Sequence, residues 1–156
     1  LVLVATSPRF VAGDDWPHAM SDATLARFGD ELHVAWKLTI RRFLALQLQG
    51  SEHGRATLAA LKDRIFARGE PSPKALFAAL ALIRDADLRG EVGAITQPAL
   101  VVSGARDTLA LPGAGRWLAD HLPNARYTLI SGAAHLPFLS HADAFDAGLD
   151  PFLDDC

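Results

Sequence analysis

Cysteine is almost absent from this sequence, since Cys156 is the only one among its 156 residues. A disulfide bond within the chain is therefore excluded, and we expect a cytoplasmic protein in a reducing environment. Long apolar runs are also missing, and none approaches the roughly 20 residues that a membrane-spanning helix requires. The net charge of −3 gives no indication of nucleic-acid binding. We therefore expect neither a membrane nor a nucleic acid as a partner.

The chain begins within an apolar run, LVLVA at residues 1–5, without an initiator methionine or a charged segment before it. This pattern does not predict a signal peptide. It is typical of a parallel-sheet strand that is buried on both faces. We therefore expect that an N-terminal part of the same protein precedes this strand and is a partner of the chain.

Hydrophobic patterning divides the chain into three parts. Residues 1–13 form a core strand with its lead-in. Residues 14–87 carry apolar residues at three- and four-residue spacings and predict four helices with no strand. Residues 88–156 predict strand, helix, strand and helix, which is typical of a parallel α/β sheet. A helical block between strands of one sheet suggests a lid over an active site, and three strands make only part of such a sheet.

Individual residues indicate where several of these elements begin and end. Ser21 is a predicted helix N-cap, and Ser72 followed by a proline predicts the start of the last helix of the block. The two later strands are predicted at residues 99–103 and 126–130. The final helix is expected to kink or end at Pro151.

Two chemically active side chains follow the two later strands. Asp107 lies in the segment SGARDTLALP, and His135 lies in SGAAHLPFLSH. The carboxyl ends of parallel strands meet at one edge of a sheet, where α/β proteins place their functional groups, so we expect these two side chains to lie close together. A carboxylate beside an imidazole can orient a general base. Alternatively, each is an ordinary loop residue.

A metal site is the competing use of histidine and aspartate, but the other histidines show no paired ligand spacing, so no metal and no cofactor are expected. The sequence also has no Gly-x-Ser-x-Gly segment, and none of its seven serines is placed in a strand-to-helix turn between glycines. In α/β-hydrolases the nucleophile precedes the acid and the base. We therefore expect the nucleophilic serine upstream of Leu1, and an inactive chain without it.

Several segments resemble one family of this superfamily, the pimeloyl-acyl-carrier-protein methyl ester esterases of biotin synthesis. The segments that carry the resemblance are LVLVATSPRF at 1–10, DDWP at 14–17, RRFLALQ at 41–47 and GAAHLPFLSH at 132–141. The likeness corresponds to about the later three-fifths of such a protein. It implies an α/β-hydrolase fold, here a partial parallel sheet with a four-helix lid inserted between sheet strands. It also implies a serine carboxylesterase with Asp107 as the acid and His135 as the base.

The resemblance further implies roles for residues of the helical block. Five consecutive residues are expected to line the acyl-chain pocket: Phe43, Leu44, Ala45, Leu46 and Gln47. Arg42 and Arg55 match positions at which the family binds acyl carrier protein. Two other arginines of the family are replaced here by Leu38 and Ala59, so part of that basic surface is not reproduced.

Charge along the helical block agrees with an acidic partner such as acyl carrier protein. Residues 37–68 contain seven basic and two acidic residues, a net charge of +5 against −8 for the rest of the chain. A basic lid on an acidic body can steer an acidic protein towards it. The alternative is a merely solvated charged face, with the apolar residues of the block forming core. Two other functions stay open at this point: a generic short-chain carboxylesterase, and a noncatalytic binding fragment of the same fold.

Overall fold

The structure is a computed structural model that describes residues 1–49, 51, 58–59, 61, 67, 69 and 71–155. Its three strands and its α-helices alternate in the order expected of an α/β protein. In chain order the elements are β1 (Val2–Val4), α1 (Asp22–Leu46), α2 (Pro73–Asp85), a 3-10 helix (Val92–Ala94), β2 (Ala99–Gly104), α3 (Pro112–His121), β3 (Ala125–Ile130), α4 (Pro137–Ser140) and α5 (Ala142–Asp154).

The three strands form one parallel sheet in the order β1-β2-β3. Val4 is opposite Val102 in the first pair, and Gly104 is opposite Ile130 in the second. Both predicted later strands, and their parallel pairing, are therefore confirmed. β1 is less buried than predicted, with Val2 38% exposed, because within the described residues β1 pairs only with β2.

Helices cover both faces of the central strand. Alternate side chains of a strand point to opposite faces. Val101 accordingly packs in a cluster with Leu118 of α3, whereas Val102 packs with Phe152 of α5. All six residues of β2 are buried. Burial of each large apolar side chain contributes about 1.5–3 kcal/mol relative to exposure, so the sheet with α3 and α5 forms the principal core.

The helical segment, which is α1 and α2 with the chain between them, follows β1 and precedes β2. The predicted N-cap is confirmed, since the Ser21 hydroxyl accepts a hydrogen bond from the Thr24 amide. α1 contains a break at Ala35, where φ is −150° and ψ is 58°. The Thr39 hydroxyl donates to the carbonyls of Glu31 and Ala35 at 3.0 and 3.1 Å. This side chain, which follows the break, thereby bonds to one backbone oxygen before it and to one at it.

The remaining predictions for the helical segment have different outcomes. α2 begins at Pro73, directly after Ser72, as predicted. Leu58, Ala59 and Leu61 are helical, but most of the predicted helix that contains them lies outside the described residues. The number of helices in the block and its boundaries at residues 14–87 therefore stay predictions.

The expectation that the final helix ends at Pro151 is wrong, whereas a kink at this residue stays a prediction. α5 continues through this proline and ends at Asp154. Proline removes one backbone donor and disfavours the preceding turn, but Phe152 is buried in the core beside Leu100 and Val102. Packing of this aromatic side chain therefore holds the last turn of the helix in place.

Four charged side chains form a cluster that joins the chain after β1 to the chain after α2. Arg89 lies 2.7 Å from Asp87 and 2.9 Å from Asp15, and Arg9 lies 3.3 to 3.4 Å from the same two carboxylates. The hydrogen bond from Arg89 lowers the pKa of Asp87 to about 2. The Arg89 guanidinium is also 5.3 Å from the centre of the buried Trp16 ring. We call Arg9, Asp15, Asp87 and Arg89 the junction cluster.

None of the helices in the described part of the chain has the length and apolar character that crossing a bilayer requires.

Candidate active site

Asp107 lies in the loop that follows β2, and its side chain is fully buried. One carboxylate oxygen, Oδ1, accepts hydrogen bonds from the backbone amides of Leu109 at 2.8 Å and Ala110 at 3.1 Å. Hydrogen bonds to an ionised acceptor are stronger than those between neutral groups. The two amides therefore fix the carboxylate and leave its other oxygen, Oδ2, directed at a separate partner.

That partner is His135, in the loop that follows β3. Its Nδ1 lies 2.9 Å from Asp107 Oδ2. A carboxylate accepts hydrogen bonds, so this contact assigns the proton of the neutral ring to Nδ1 and leaves the lone pair on Nε2. The His135 side chain is 23% exposed, and its backbone amide donates to the Gln47 carbonyl at 3.0 Å. The Asp107 carboxylate thus orients the imidazole, the Gln47 carbonyl holds the backbone that carries it, and part of the side chain stays accessible.

The loops that carry the two side chains are bonded directly to each other. The Ala105 amide donates to the Ile130 carbonyl at 2.9 Å, and the Arg106 amide donates to the Ala133 carbonyl at 2.8 Å. Gly104 permits this approach, because a Cβ atom there would lie 2.7 Å from the Ala133 carbonyl oxygen. Any other residue would push the loops apart.

The predicted proximity of Asp107 and His135 is therefore confirmed as geometry. The arrangement has the acid–base part of a serine-type triad: a buried carboxylate, a hydrogen-bonded imidazole and a second ring nitrogen for proton transfer. The catalytic roles of the two residues stay predictions.

His135 opens onto a cavity of about 290 Å³, which we call the site cavity. The backbone at its base contains Ala5, a non-glycine residue with φ of 47°. This left-handed conformation is uncommon for alanine and turns the chain away from the sheet at the end of β1. The residues that line the site cavity are Ala5, Thr6, Ser7, Pro8, Phe10, Ile83, Ala86, Leu88, Ala110 and His135.

A second, almost wholly apolar cavity of about 210 Å³ lies within the helical segment, and we call it the apolar cavity. Phe43 and Leu46 line it, and the Phe43 ring is 5.2 Å from that of Phe28. The thirteen lining residues are Phe10, Met20, Thr24, Leu25, Phe28, Leu32, Phe43, Leu46, Leu76, Ala79, Leu80, Ile83 and Leu109.

The expectation that residues 43–47 line the acyl-chain pocket stays a prediction, and two of the five, Phe43 and Leu46, line the apolar cavity. Leu44, Ala45 and Gln47 are not among the described residues that line the apolar cavity. Leu44 is buried elsewhere, and Ala45 is exposed. Successive residues of an α-helix point about 100° apart because each turn takes 3.6 residues, so neighbouring residues of this segment face different surroundings.

Of the two predicted carrier-binding arginines, Arg42 is among the described residues. Arg42 is on the surface, with 66% of its side chain exposed, and its guanidinium lies 3.8 Å from the Glu31 carboxylate. An exposed ion pair of this kind contributes little, so it leaves the Arg42 charge available to a partner. Arg55 lies outside the described residues.

Sequence reasoning missed Phe10, Ile83 and Leu109, which line the cavities from positions far apart in the chain. One local signal was present, since an aspartate often accepts hydrogen bonds from amides two and three residues further on. That rule predicts the bonds from Leu109 and Ala110 to Asp107.

Within the described ranges, no group of three or more histidine, cysteine or acidic side chains could hold a metal ion.

Comparison with solved structures shows the fold. An esterase from Exiguobacterium antarcticum superposes with a TM-score of 0.86 at 17% identity, covering 99% of this chain and 56% of that protein. The enol-lactonase from Burkholderia xenovorans LB400 superposes with a TM-score of 0.76 at 26% identity, covering 98% of this chain and 55% of that protein. The chain therefore has the α/β-hydrolase fold, as predicted. No protein-family model matches it.

Curated relatives that match most of this chain share one name. The chain is 44% identical over 154 residues to the pimeloyl-acyl-carrier-protein methyl ester esterase of Chromobacterium violaceum, covering 99% of this chain and 60% of the relative. It is 41% identical over 153 residues to the enzyme of the same name from Stenotrophomonas maltophilia, covering 98% of this chain and 59% of the relative. The resemblance to this group of esterases is confirmed, and the chain spans about three-fifths of the length of these relatives.

Proposed function

We propose that the complete protein containing this chain is a carboxylic ester hydrolase that cleaves the methyl ester of a pimeloyl group carried on acyl carrier protein, a step of biotin synthesis. The observation that carries the proposal is the 2.9 Å hydrogen bond between His135 and Asp107 at the mouth of the site cavity. The identity of more than 40% to esterases of that name supports the choice of substrate.

The reaction needs a nucleophile, which we assign to a serine outside residues 1–156. His135 Nε2 accepts the serine proton while the serine oxygen attacks the ester carbonyl carbon. The resulting tetrahedral intermediate expels methanol, which takes the proton from His135, and an acyl-serine ester remains. Water then attacks this ester, again giving a proton to His135, and the free acid leaves as the serine is reprotonated. Asp107 holds the ring and stabilises its charged form, and no metal or cofactor takes part.

The helical segment supplies the surroundings of this reaction in our proposal. We assign residues 14–87 as a lid, with the apolar cavity, lined in part by Phe43 and Leu46, receiving the acyl chain. The net charge of +5 between residues 37 and 68 favours an acidic carrier, with Arg42 and Arg55 as its contacts. A cytoplasmic location agrees with this substrate.

The test uses the complete gene product with methyl pimeloyl-acyl carrier protein, following release of the free acid by mass spectrometry. Efficient hydrolysis is expected, and His135→Gln is expected to lower turnover by about 10⁴ or more because it removes the proton acceptor. Residues 1–156 alone are expected to show no turnover. Absence of hydrolysis by the complete protein would refute the proposed function.

Carrier docking is tested separately with the double variant Arg42→Glu and Arg55→Glu. At low salt we expect kcat/KM for the carrier-bound ester to fall about tenfold or more, because the charges that steer association are reversed. The matched control reverses two exposed basic residues outside the 37–68 segment, Lys74→Glu with Arg126→Glu. Equal effects of the two double variants would contradict docking at Arg42 and Arg55.

A second candidate is a carboxylesterase that acts on free short-chain esters. It is favoured by Leu38 and Ala59, which replace two arginines expected from the resemblance. Comparing kcat/KM for a free methyl ester with that for the carrier-bound ester separates the two, and no preference for the carrier-bound form favours this candidate. For a noncatalytic fragment, the decisive observation is the preceding gene sequence, where the enzyme requires a Gly-x-Ser-x-Gly segment.

A further inference from the structure

The site cavity and the apolar cavity share two of their walls. Phe10 and Ile83 line both cavities. Phe10 lies in the segment after β1, and Ile83 lies near the end of α2. The two side chains therefore form a boundary between the space beside His135 and the space inside the helical segment.

The same boundary is tied to Asp107 through the backbone. Leu109 lines the apolar cavity and Ala110 lines the site cavity. Their two amides donate to the same oxygen of Asp107. The hydrogen bonds that orient Asp107 therefore also hold the backbone of one residue from the lining of each cavity, and we take this backbone as one side of a passage between them.

The other side of the passage is less constrained. Ile83 is 42% exposed, and α2, all of whose residues are described, contains no buried residue. Because Phe10 and Ile83 line both cavities, an ester whose carbonyl lies at His135 can place its alkyl chain in the apolar cavity by passing these two side chains. A straight chain is the narrowest apolar group that can do so.

We propose that Phe10 and Ile83 are specificity-determining residues, which admit esters of straight, unbranched acyl chains to the apolar cavity and exclude chains branched near the carbonyl. This inference rests on the proposed ester hydrolysis and adds to it the two side chains that select the acyl group. Neither side chain takes part in proton transfer.

The test compares Ile83→Trp with Leu82→Trp in the complete gene product. Leu82 is the preceding residue of α2, is 71% exposed, and is not among the described residues that line either cavity. The substrates are methyl acetate, a straight-chain methyl ester of pimelic acid, and a methyl ester branched beside the carbonyl. The fold of each variant is checked by its thermal midpoint.

In an apolar binding pocket, a mismatch in size of one methylene group or more between substrate and pocket changes kcat/KM by about 10- to 200-fold. Ile83→Trp is therefore expected to reduce kcat/KM for the straight-chain ester by about tenfold or more, mainly through KM, and to reduce kcat/KM for methyl acetate by a clearly smaller factor. Leu82→Trp is expected to leave kcat/KM for both of these esters within about twofold of the wild-type value. Phe10→Ala is expected to raise kcat/KM for the branched ester relative to that for the straight-chain ester. Equal losses on acetate and on the long ester, or no loss on either, would overturn the proposal.

A binding measurement separates failure of this inference from failure of the proposed function. A fluorescent straight-chain fatty acid is titrated into the wild type and both tryptophan variants. Weaker binding in Ile83→Trp alone supports the passage even if the wild type hydrolyses no ester. Identical binding in all three proteins refutes it, whatever the enzyme activity.

Discussion

The central strand and the helix α2 differ sharply in how they are held. All six residues of β2 are buried, and its apolar side chains pack against helices on both faces of the sheet. All thirteen residues of α2 are described and none is buried. Segments with few buried contacts open at low free-energy cost, whereas core strands open only with the whole fold. The Asp107–His135 pair therefore extends from the rigid region, whereas α2, the more deformable one, supplies four of the residues that line the apolar cavity.

This division agrees with the reaction that we propose. Proton transfer between a nucleophile and His135 tolerates little displacement, since catalytic groups must be held close to the productive geometry. Binding of an acyl chain tolerates more, because apolar contacts are non-directional. A rigid support for the pair and an adaptable surrounding for the chain satisfy both requirements in one molecule.

The largest expected effect tests the rigid region through its chemistry. Asp107→Asn in the complete protein should reduce kcat by about 10⁴, because an amide can favour the wrong histidine tautomer, as the same change does in serine proteases. The measurement is steady-state hydrolysis of the carrier-bound ester. Asp120→Asn, at an exposed position of α3, is the control and should leave kcat unchanged. A similar small effect for both would remove Asp107 from the mechanism.

A smaller effect, on stability, is expected when a side chain is added at Gly104, where the loops that carry Asp107 and His135 contact each other. Gly104→Ala should lower the free energy of unfolding by about 3 kcal/mol, because a Cβ atom there meets two backbone carbonyls that cannot move independently. Gly93→Ala is the matched control, since no heavy atom of the described residues lies within 4 Å of its Cβ position. Urea denaturation measures both. A tolerated alanine at position 104 would show that this region is not rigid.

The smallest effect is expected at the junction cluster, where the helical segment is attached. The folded-state pKa of Asp87 is about 2, below its ordinary value of 3.8. Its contribution to stability is therefore present above about pH 4 and is lost as the pH falls towards 2. Between those values the wild type should lose about 0.5–1 kcal/mol more than Asp87→Asn, since the pair is partly exposed and screened by solvent.

The measurement is the urea midpoint of both proteins at several pH values between about 2 and 5. Asp120→Asn again serves as the control and should follow the wild type. Parallel curves for the wild type and Asp87→Asn would show that Asp87 does not link the helical segment to the sheet.

Local sequence signals predicted the strands and the two residues of the acid–base pair. The strands ending at Gly104 and Ile130 are short apolar runs, and parallel pairing is enough to bring the loops after them together. The hydrogen bond between Asp107 and His135 follows from that register. Pro151 shows the limit of such signals, because its local cost was outweighed by burial of Phe152, which no helix-stop rule considers.

The cavity walls could not be predicted in the same way. Phe10, Ile83 and Leu109 are separated by long stretches of chain, and each is an ordinary apolar residue in its own segment. Residues 43–47 were expected in the acyl-chain pocket, and of these Phe43 and Leu46 line the apolar cavity, since successive side chains of a helix point in different directions. Which apolar side chain faces a cavity depends on how α1 and α2 pack over the sheet.

The amino-acid sequence thus determined the order of strands and helices, the positions of Asp107 and His135 and the likeness to one group of esterases. These depend on hydrophobic periodicity and on contacts between neighbouring strand ends, which short segments encode. The tertiary structure alone decided that Gly104 must lack a side chain, that Gln47 holds the backbone of His135 and that Phe10 and Ile83 line the same two cavities. Such contacts join residues that are distant along the chain, and their geometry is set by the packing of whole elements.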